Sequence, residues 1–321
     1  MTPVALAIDL GGTRIRAALV TEDGTVRFHA EEPTPARDGP EAVLSRIAAL
    51  AGAALASAPV GAVKGAGVCA PGPLDTGTGM ALGIQSLSGF ADFPLRAELE
   101  RRLGLAVTLE NDGIAGAVGE WRHGAGRGAA DMVYLTLSTG IGGGVIADGR
   151  PLRGARGLAG HVGHMLFRGE GPRHPGGHMP CLEDFASGPA LAYRAREAMR
   201  DGTVSSLATA EPLDARAIFA AAGAGDGLAE RLVRDEAETL GLGLTSLLHI
   251  LNPERIVIGG GMSAALPALL PSIRETIVRN AKPGFAEVDI LPAGLGQSSC
   301  LIGAATLVFA PDLGARRQPR S

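Results

Sequence analysis

The chain has 321 residues, is 46% hydrophobic and carries a formal net charge of −4. That length suggests two compact domains, and the balance of charge excludes the basic footprint of a nucleic-acid or anionic-membrane binder. The longest apolar runs are broken by glycine or charge and fall short of a membrane span. Met1-Thr2-Pro3 enters a strand-like run with no signal-peptide pattern, and Cys69, Cys181 and Cys300 are too scattered for a disulfide framework, so a soluble cytoplasmic protein is expected.

Val4 to Asp9 reads as an apolar strand ending in Asp9-Leu10-Gly11-Gly12-Thr13; strands follow at Ile15 to Val20 and, after the Asp23-Gly24 turn, at Thr25 to His29. Gly39 to Ala56 has the apolar spacing of a helix with one buried face. Gly65 to Ala70 is a short buried strand running into the turn Pro71-Gly72-Pro73, and Phe93 to Leu103 is helical. A strand at Ala106 to Leu109 ends in Glu110-Asn111-Asp112, where a helix over Gly113 to Trp121 begins. After the glycine-rich break at Gly124–Gly128 the opening theme recurs, with a strand at Met132 to Leu137, a glycine turn at Ser138–Gly144 and a returning strand at Val145–Ala147. A long helix over Gly227 to Leu251 stops at Asn252-Pro253, and a strand at Arg255 to Ile258 ends in Gly259-Gly260-Gly261-Met262. A last helix near Ile302 to Phe309 precedes a polar tail, 314–321, expected to be disordered. The mixture is α/β, and the repeated strand–turn–strand units suggest duplicated halves facing one another.

Several of these turns could carry chemistry. Asp9–Thr13 offers backbone N–H groups to a phosphate and a carboxylate to the water shell of Mg²⁺, and equally reads as an ordinary hairpin. Ser138–Gly144 is weak alone: Val145 stands where a dinucleotide fingerprint needs glycine, and no Walker-type motif occurs in the chain. Paired with the first turn, it favours a nucleotide clamp. Asp112 can take a proton from a substrate hydroxyl that Asn111 orients, or can cap a helix, or both. Gly259–Met262 can pack on a flat heterocycle or simply turn the chain. Between Gly154 and Glu183 the chain concentrates four of its seven histidines and one cysteine, which points to chemistry rather than packing.

Together, from Asp9 to Gly303, these motifs resemble the ROK family of sugar kinases and repressors. The resemblance implies the duplicated actin/hexokinase-like (ribonuclease H-like) ATPase fold, with two domains and a central cleft. It implies a smaller N-terminal α/β domain over 1–115, with a C-terminal helix over 301–313 packing back on it, and a larger α/β domain over 116–300. By the same resemblance ATP and Mg²⁺ are cofactors. The phosphate turns supply Asp9, Gly11, Gly12, Thr13 and Arg14 from one half and Ser138, Thr139, Gly140 and Gly142 from the other; Gly260, Gly261 and Met262 line the adenosine pocket. Asp112 is the catalytic base, and Ser86, Gly89, Asn111, Asp112, His161, His164 and Glu183 meet the sugar. Domain closure would exclude water, the partners are a sugar and ATP, and a homodimer is expected. Family repressors carry a helix-turn-helix before the first phosphate turn; with that turn beginning at Asp9 the kinase branch is favoured over a repressor, and Asp112 with both phosphate turns argues against a non-catalytic sugar sensor without DNA contact.

Three departures from the family pattern bear on substrate and metal. His161 stands where most members have Glu, and Gly160-His161-Val162-Gly163-His164 resembles the bacterial N-acetylmannosamine kinases. A neutral imidazole can donate to an acetamido carbonyl that a carboxylate would repel, so phosphorylation at the 6-hydroxyl of N-acetylmannosamine is expected, with glucose or N-acetylglucosamine as alternatives. Ser86 replaces the sugar-loop asparagine, so its contact would be water-mediated or lost. Of the family's zinc cysteines only Cys181 is present; His164, His174, His178 and Cys181 could form a structural zinc set, weighed slightly behind a zinc-free loop held by hydrogen bonds.

Overall fold

The computed structural model describes residues 2–167 and 179–314. In chain order its elements are β1 (Val4–Leu10), β2 (Arg14–Thr21), β3 (Val26–Pro33), α1 (Gly39–Ala56), β4 (Val63–Ala70), β5 (Leu74–Asp75), β6 (Met80–Ala81), α2 (Leu95–Leu103), β7 (Val107–Asn111) and α3 (Asp112–His123). They continue with β8 (Met132–Leu137), β9 (Ile141–Ala147), β10 (Arg150–Pro151), α4 (Leu182–Ala186), α5 (Gly188–Arg200), α6 (Ala215–Gly223), α7 (Gly227–Leu251), β11 (Arg255–Gly259), α8 (Leu266–Asn280), β12 (Asp289–Pro292), α9 (Ser299–Phe309) and α10 (Pro311–Gly314).

One sheet has the order β3-β2-β1-β4-β7 and the other β10-β9-β8-β11-β12. In the first, β1, β2 and β3 are antiparallel neighbours while β4 pairs in parallel with β1 and with β7. The second repeats that scheme in its antiparallel β9–β10 and parallel β11–β12 pairs. The duplication expected from the repeated strand–turn–strand units is thus visible in the topology.

Two compact units can be distinguished. The first holds the described residues through Tyr134, Gly143–Gly160 and those from Gly294 onward; the second holds Leu135–Gly142 and the described part of His161–Ala293. This division differs from the expected boundary after residue 115, because α3 packs on α9 within the first unit. Gly119 and Gly303 meet there: a Cβ on Gly119 would fall on the Ser299 carbonyl, and one on Gly303 on that of Ala115. Part of the chain's glycine excess is therefore spent on close helix packing.

Every residue of β1 is buried, and strand alternation sorts them by size. Val4, Leu6, Ile8 and Leu10 join α1 residues Val43, Leu44 and Ile47 in one core, whereas Ala5 and Ala7 meet Leu301, Ile302 and Ala305 of α9 on the other face. Each fully buried Leu or Ile contributes about 1.5–3 kcal/mol, which lets an aliphatic core stand in for scarce aromatics. Asp9 shares the face of Ala5 and Ala7, so the same alternation turns it towards the side that α9 covers.

In the second unit α7 packs against α4, α5, α6 and α8. Asp226 caps it by accepting the N–H groups of Leu228 and Ala229, and it ends where Asn252 enters the left-handed region at φ 43°. Arg194 of α5 and Glu236 of α7 form an ion pair at 2.5 Å, and burial pushes the Glu236 carboxyl up to about 8. At the C-terminus, Gly314 belongs to the helical turn α10, in which Leu313 is buried, so the expected disordered tail does not begin there; residues 315–321 lie outside the described residues. No helix among the described residues is long and apolar enough to cross a membrane.

Candidate functional site

The first unit brings two carboxylates to the ends of β1 and β7, the two parallel strands that flank β4. Asp9 lies at the end of β1 in register with Cys69 of β4, which is in register with Glu110 of β7; Asp112 follows at the start of α3. Asp9 is buried, accepts Arg16 Nη1 at 3.0 Å on Oδ2 and receives the Cys69 thiol at 3.5 Å on Oδ1. Arg16 also reaches Glu31 at 3.2 Å and Gln297 at 3.2 Å. Burial raises the Asp9 carboxyl above its usual range against the opposing pull of Arg16. Asp112 is pushed up to about 7, first by burial and then by the negative charge of Asp9. A carboxyl titrating near neutrality can accept a proton at working pH and still be mostly regenerated. Between the carboxylates lie two thiols: Cys69 Sγ approaches the Cys300 carbonyl at 3.7 Å, and Cys300 Sγ the Asp112 carbonyl at 3.4 Å. The hydrogen bond with Cys300, then burial and the charge of Asp9, raises the Cys69 thiol; against that same bond, burial and the charges of Asp9 and Asp112 raise Cys300, so both thiols stay protonated.

The helix cap is Asn111, not Asp112. Asn111 Oδ1 accepts from Gly113 N at 3.0 Å and Ile114 N at 3.3 Å, while Asp112 Oδ1 takes Gly113 N at 2.8 Å. The Asn111 side chain also hydrogen-bonds the Asp112 carboxyl, a pull that opposes the effect of burial. Beneath them, Glu110 pairs with Arg153 at 2.6 Å and accepts the Asn111 N–H at 3.0 Å, and Arg153 also donates to the Leu313 carbonyl.

Elsewhere in this unit, the Gly11–Thr13 turn closes through Gly11 N to Arg14 O at 2.9 Å. A Cβ on Gly12 would stand 2.7 Å from Ser86 Cβ, so Ser86 lies against the first glycine turn. Its loop is pinned by buried Ile84, Leu87 and Phe90, leaving Ser86 and Gly89 exposed. Arg14 points outward into an ion pair with Glu31 at 2.8 Å.

In the second unit the glycine turn is shorter than Ser138–Gly144. Ser138 N bonds Gly140 O at 2.9 Å, and β9 begins at Ile141, so Gly142 lies in a strand. In the first unit, Gly113 and Gly144 are required for packing: a Cβ on Gly113 would strike the Gly143 carbonyl, and one on Gly144 would stand 2.5 Å from the Gly113 carbonyl. Met262 N bonds Leu137 O at 3.0 Å, and Gly260, at φ +85°, lies so close to Leu137 that no side chain fits. A Cβ on Gly261 would stand 3.7 Å from Ser138 Oγ, which places Gly260–Met262 against the Ser138–Gly140 turn.

The His161 and His164 rings lie 6.0 Å apart at 42°, and burial, then the neighbouring His164, lowers the His161 pKa, keeping that imidazole neutral. A Cβ on Gly163 would strike the Ile141 carbonyl, so this loop sits on the start of β9. The Cys181 segment is zipped to it: Leu182 N bonds Met165 O at 2.9 Å, Phe167 N bonds Pro180 O at 2.9 Å, and Cys181 Sγ lies 3.8 Å from His164 Nδ1. The Cys181 thiol, held up to about 11 by burial and Asp184, donates to Asp184 Oδ2 at 3.1 Å. Glu183 Oε2 accepts the Ile141 N–H at 2.7 Å. Of the suggested zinc set, His174 and His178 lie outside the described residues, and among the described residues no three His, Cys, Asp or Glu side chains gather as metal ligands.

Arg16 and the Glu110–Arg153 pair escaped the sequence reading. Arg16 could have been found: if the Asp9–Thr13 turn is a hairpin, Asp9 and Arg16 are direct cross-strand partners of opposite charge. Nothing local announces Arg153.

A family model described as the ROK family matches residues 5–310. The chain is 36% identical over 311 residues to a glucokinase of Halalkalibacterium halodurans, covering 94% of each chain. It is also 36% identical over 302 residues to an N-acetylmannosamine kinase of Escherichia coli, covering 94% of this chain and 97% of that one. Among solved structures it is similar to a ROK hexokinase from Thermus thermophilus, at 35% identity and a TM-score of 0.81, over 97% of this chain and all of the other.

Proposed function

This chain belongs to the ROK family and is an ATP-dependent sugar kinase; we propose that it phosphorylates the 6-hydroxyl of N-acetylmannosamine. The observation that carries the choice of sugar is His161, a partly buried imidazole kept neutral by its surroundings, which can donate to an acetamido carbonyl. His164, Glu183 and Asn111 are the other sugar ligands in this reading, with Ser86 and Gly89 the edge of the sugar loop.

In this reading each unit carries its own nucleotide element: the Asp9–Thr13 phosphate turn with Arg14 in the first, and the Ser138–Gly142 phosphate turn with the adenosine-lining Gly260–Met262 in the second. Asp9 suits magnesium held through its water shell, being a buried carboxylate with Oδ1 met only by a weak thiol donor. That ion, when bound, neutralises phosphate oxygens. Asp112 takes the proton of the 6-hydroxyl as that oxygen bonds the γ-phosphorus and the bond to the β–γ bridging oxygen breaks, releasing ADP. A homodimer is the assembly we propose.

The test is His161→Glu. Its kcat/KM for N-acetylmannosamine relative to glucose should fall about tenfold or more, the scale of one hydrogen bond exchanged for a repulsion. A ratio unchanged from the wild type would remove His161 as the determinant. Glucose is the second reading, favoured by the equal 36% identity to the glucokinase and by the short side chain at Ser86.

A further inference from the structure

Glu183 does something that contact with a sugar does not require. Its carboxylate is turned onto the backbone of the Ser138–Gly140 turn, where Oε2 accepts the Ile141 N–H at 2.7 Å. The fit is close: a Cβ on Gly140 would lie 2.5 Å from the same oxygen. The segment carrying Glu183 grips the other end of the turn as well, because Gly188 N donates to Ser138 O at 3.0 Å, and Ser187 caps α5 immediately before it. The turn's own bond, Ser138 N to Gly140 O, closes it from within. With the Ser138 and Ile141 N–H groups so occupied, those of Thr139 and Gly140 are left without a protein acceptor among the described residues.

We propose that Glu183 is a positioning residue for the nucleotide: by fixing Ile141 N–H it holds the Ser138–Gly140 backbone in the conformation that presents Thr139 and Gly140 N–H to a phosphate. The proposal rests on the reading of this turn as an ATP phosphate site. A flexible turn would have to be ordered by the ligand at a cost in affinity, whereas a turn fixed beforehand binds without it. The segment is also zipped to the His164 strand through Leu182 N and Met165 O, so one short stretch of chain supports the signature histidine and the nucleotide turn together.

The test is calorimetric titration of Mg²⁺·AMPPNP into the full chain without any sugar, so that a role confined to sugar contact is silent. Glu183→Ala should weaken AMPPNP binding about tenfold or more, the scale of a hydrogen bond to a charged group. Glu183→Gln keeps an oxygen able to accept the Ile141 N–H and should restore affinity to within about threefold of the wild type, given the smaller strength of a neutral acceptor. Gly140→Ala provides an independent variant, since its Cβ displaces the carboxylate. It should weaken binding in the wild-type background and cost nothing further beside Glu183→Ala. Unchanged AMPPNP affinity in folded Glu183→Ala, or full additivity of the two substitutions, overturns the proposal. A wild type that binds no AMPPNP overturns the reading of the turn itself, and the proposal with it.

Discussion

Asp112→Asn is expected to lower sugar phosphorylation by about 10²–10⁴-fold, the range of a positioned general base, with sugar binding largely retained. The substitution keeps the shape of the side chain and its acceptor for Gly113 N, so the start of α3 is preserved. What it removes is the group that takes the hydroxyl proton. The pH dependence follows from the same group. Burial and the charge of Asp9 hold Asp112 at about 7 in the free protein, and it must be ionised to act. The wild-type kcat/KM should therefore be level above pH 7 and fall about tenfold per pH unit below it, while the residual activity of Asp112→Asn loses that limb. Turnover in Asp112→Asn equal to the wild type would take the base out of the account.

Glu120→Ala is expected to produce the largest loss of stability, about 3–5 kcal/mol, read as a lower denaturation midpoint in urea. Glu120 is fully buried in α3, and its carboxylate collects the N–H groups of Ala125, Gly294 and Leu295 at 2.9 Å each and the Ser299 hydroxyl at 2.7 Å. It thus ties the end of α3 to the chain that leads into α9. Removing it strands these donors where little water can reach them. Glu120→Gln retains one acceptor oxygen and should cost less. A midpoint for Glu120→Ala within experimental error of the wild type would show that water replaces the carboxylate without loss.

Helix α1 is legible from its apolar spacing and helix α7 from its Asn252-Pro253 stop, and both have the expected bounds. Helices α5, α6 and α8 were not assigned. Their apolar residues do sort onto one face, and Ser187-Gly188-Pro189 is a start signal for α5, so these helices are legible in the sequence although not assigned from it. The run Gly142–Gly144 was read as turn because glycine signals turns locally. It lies in β9, with Gly144 kept small by the approach of Gly113 at the start of α3, a contact that no local pattern encodes.

The candidate site divides in the same way. Asp9 and Asp112 are legible from their places at strand ends; Arg16 is missed in the sequence analysis, although hairpin register pairs it with Asp9. Glu110 and Arg153 are not legible, because 43 residues separate a pair that only the folded sheet brings together. Asp112 was also credited with a cap that Asn111 provides. Glu183 was read as a sugar residue, and its bond to Ile141 became visible only when the Cys181 segment was seen zipped to the His164 strand.

The most direct test of the account is a coupled ADP-release assay of the wild-type chain with Mg²⁺·ATP across N-acetylmannosamine, N-acetylglucosamine and glucose. The account predicts sugar-dependent ADP release with the highest kcat/KM for N-acetylmannosamine. Glucose outrunning both N-acetylated sugars would contradict it.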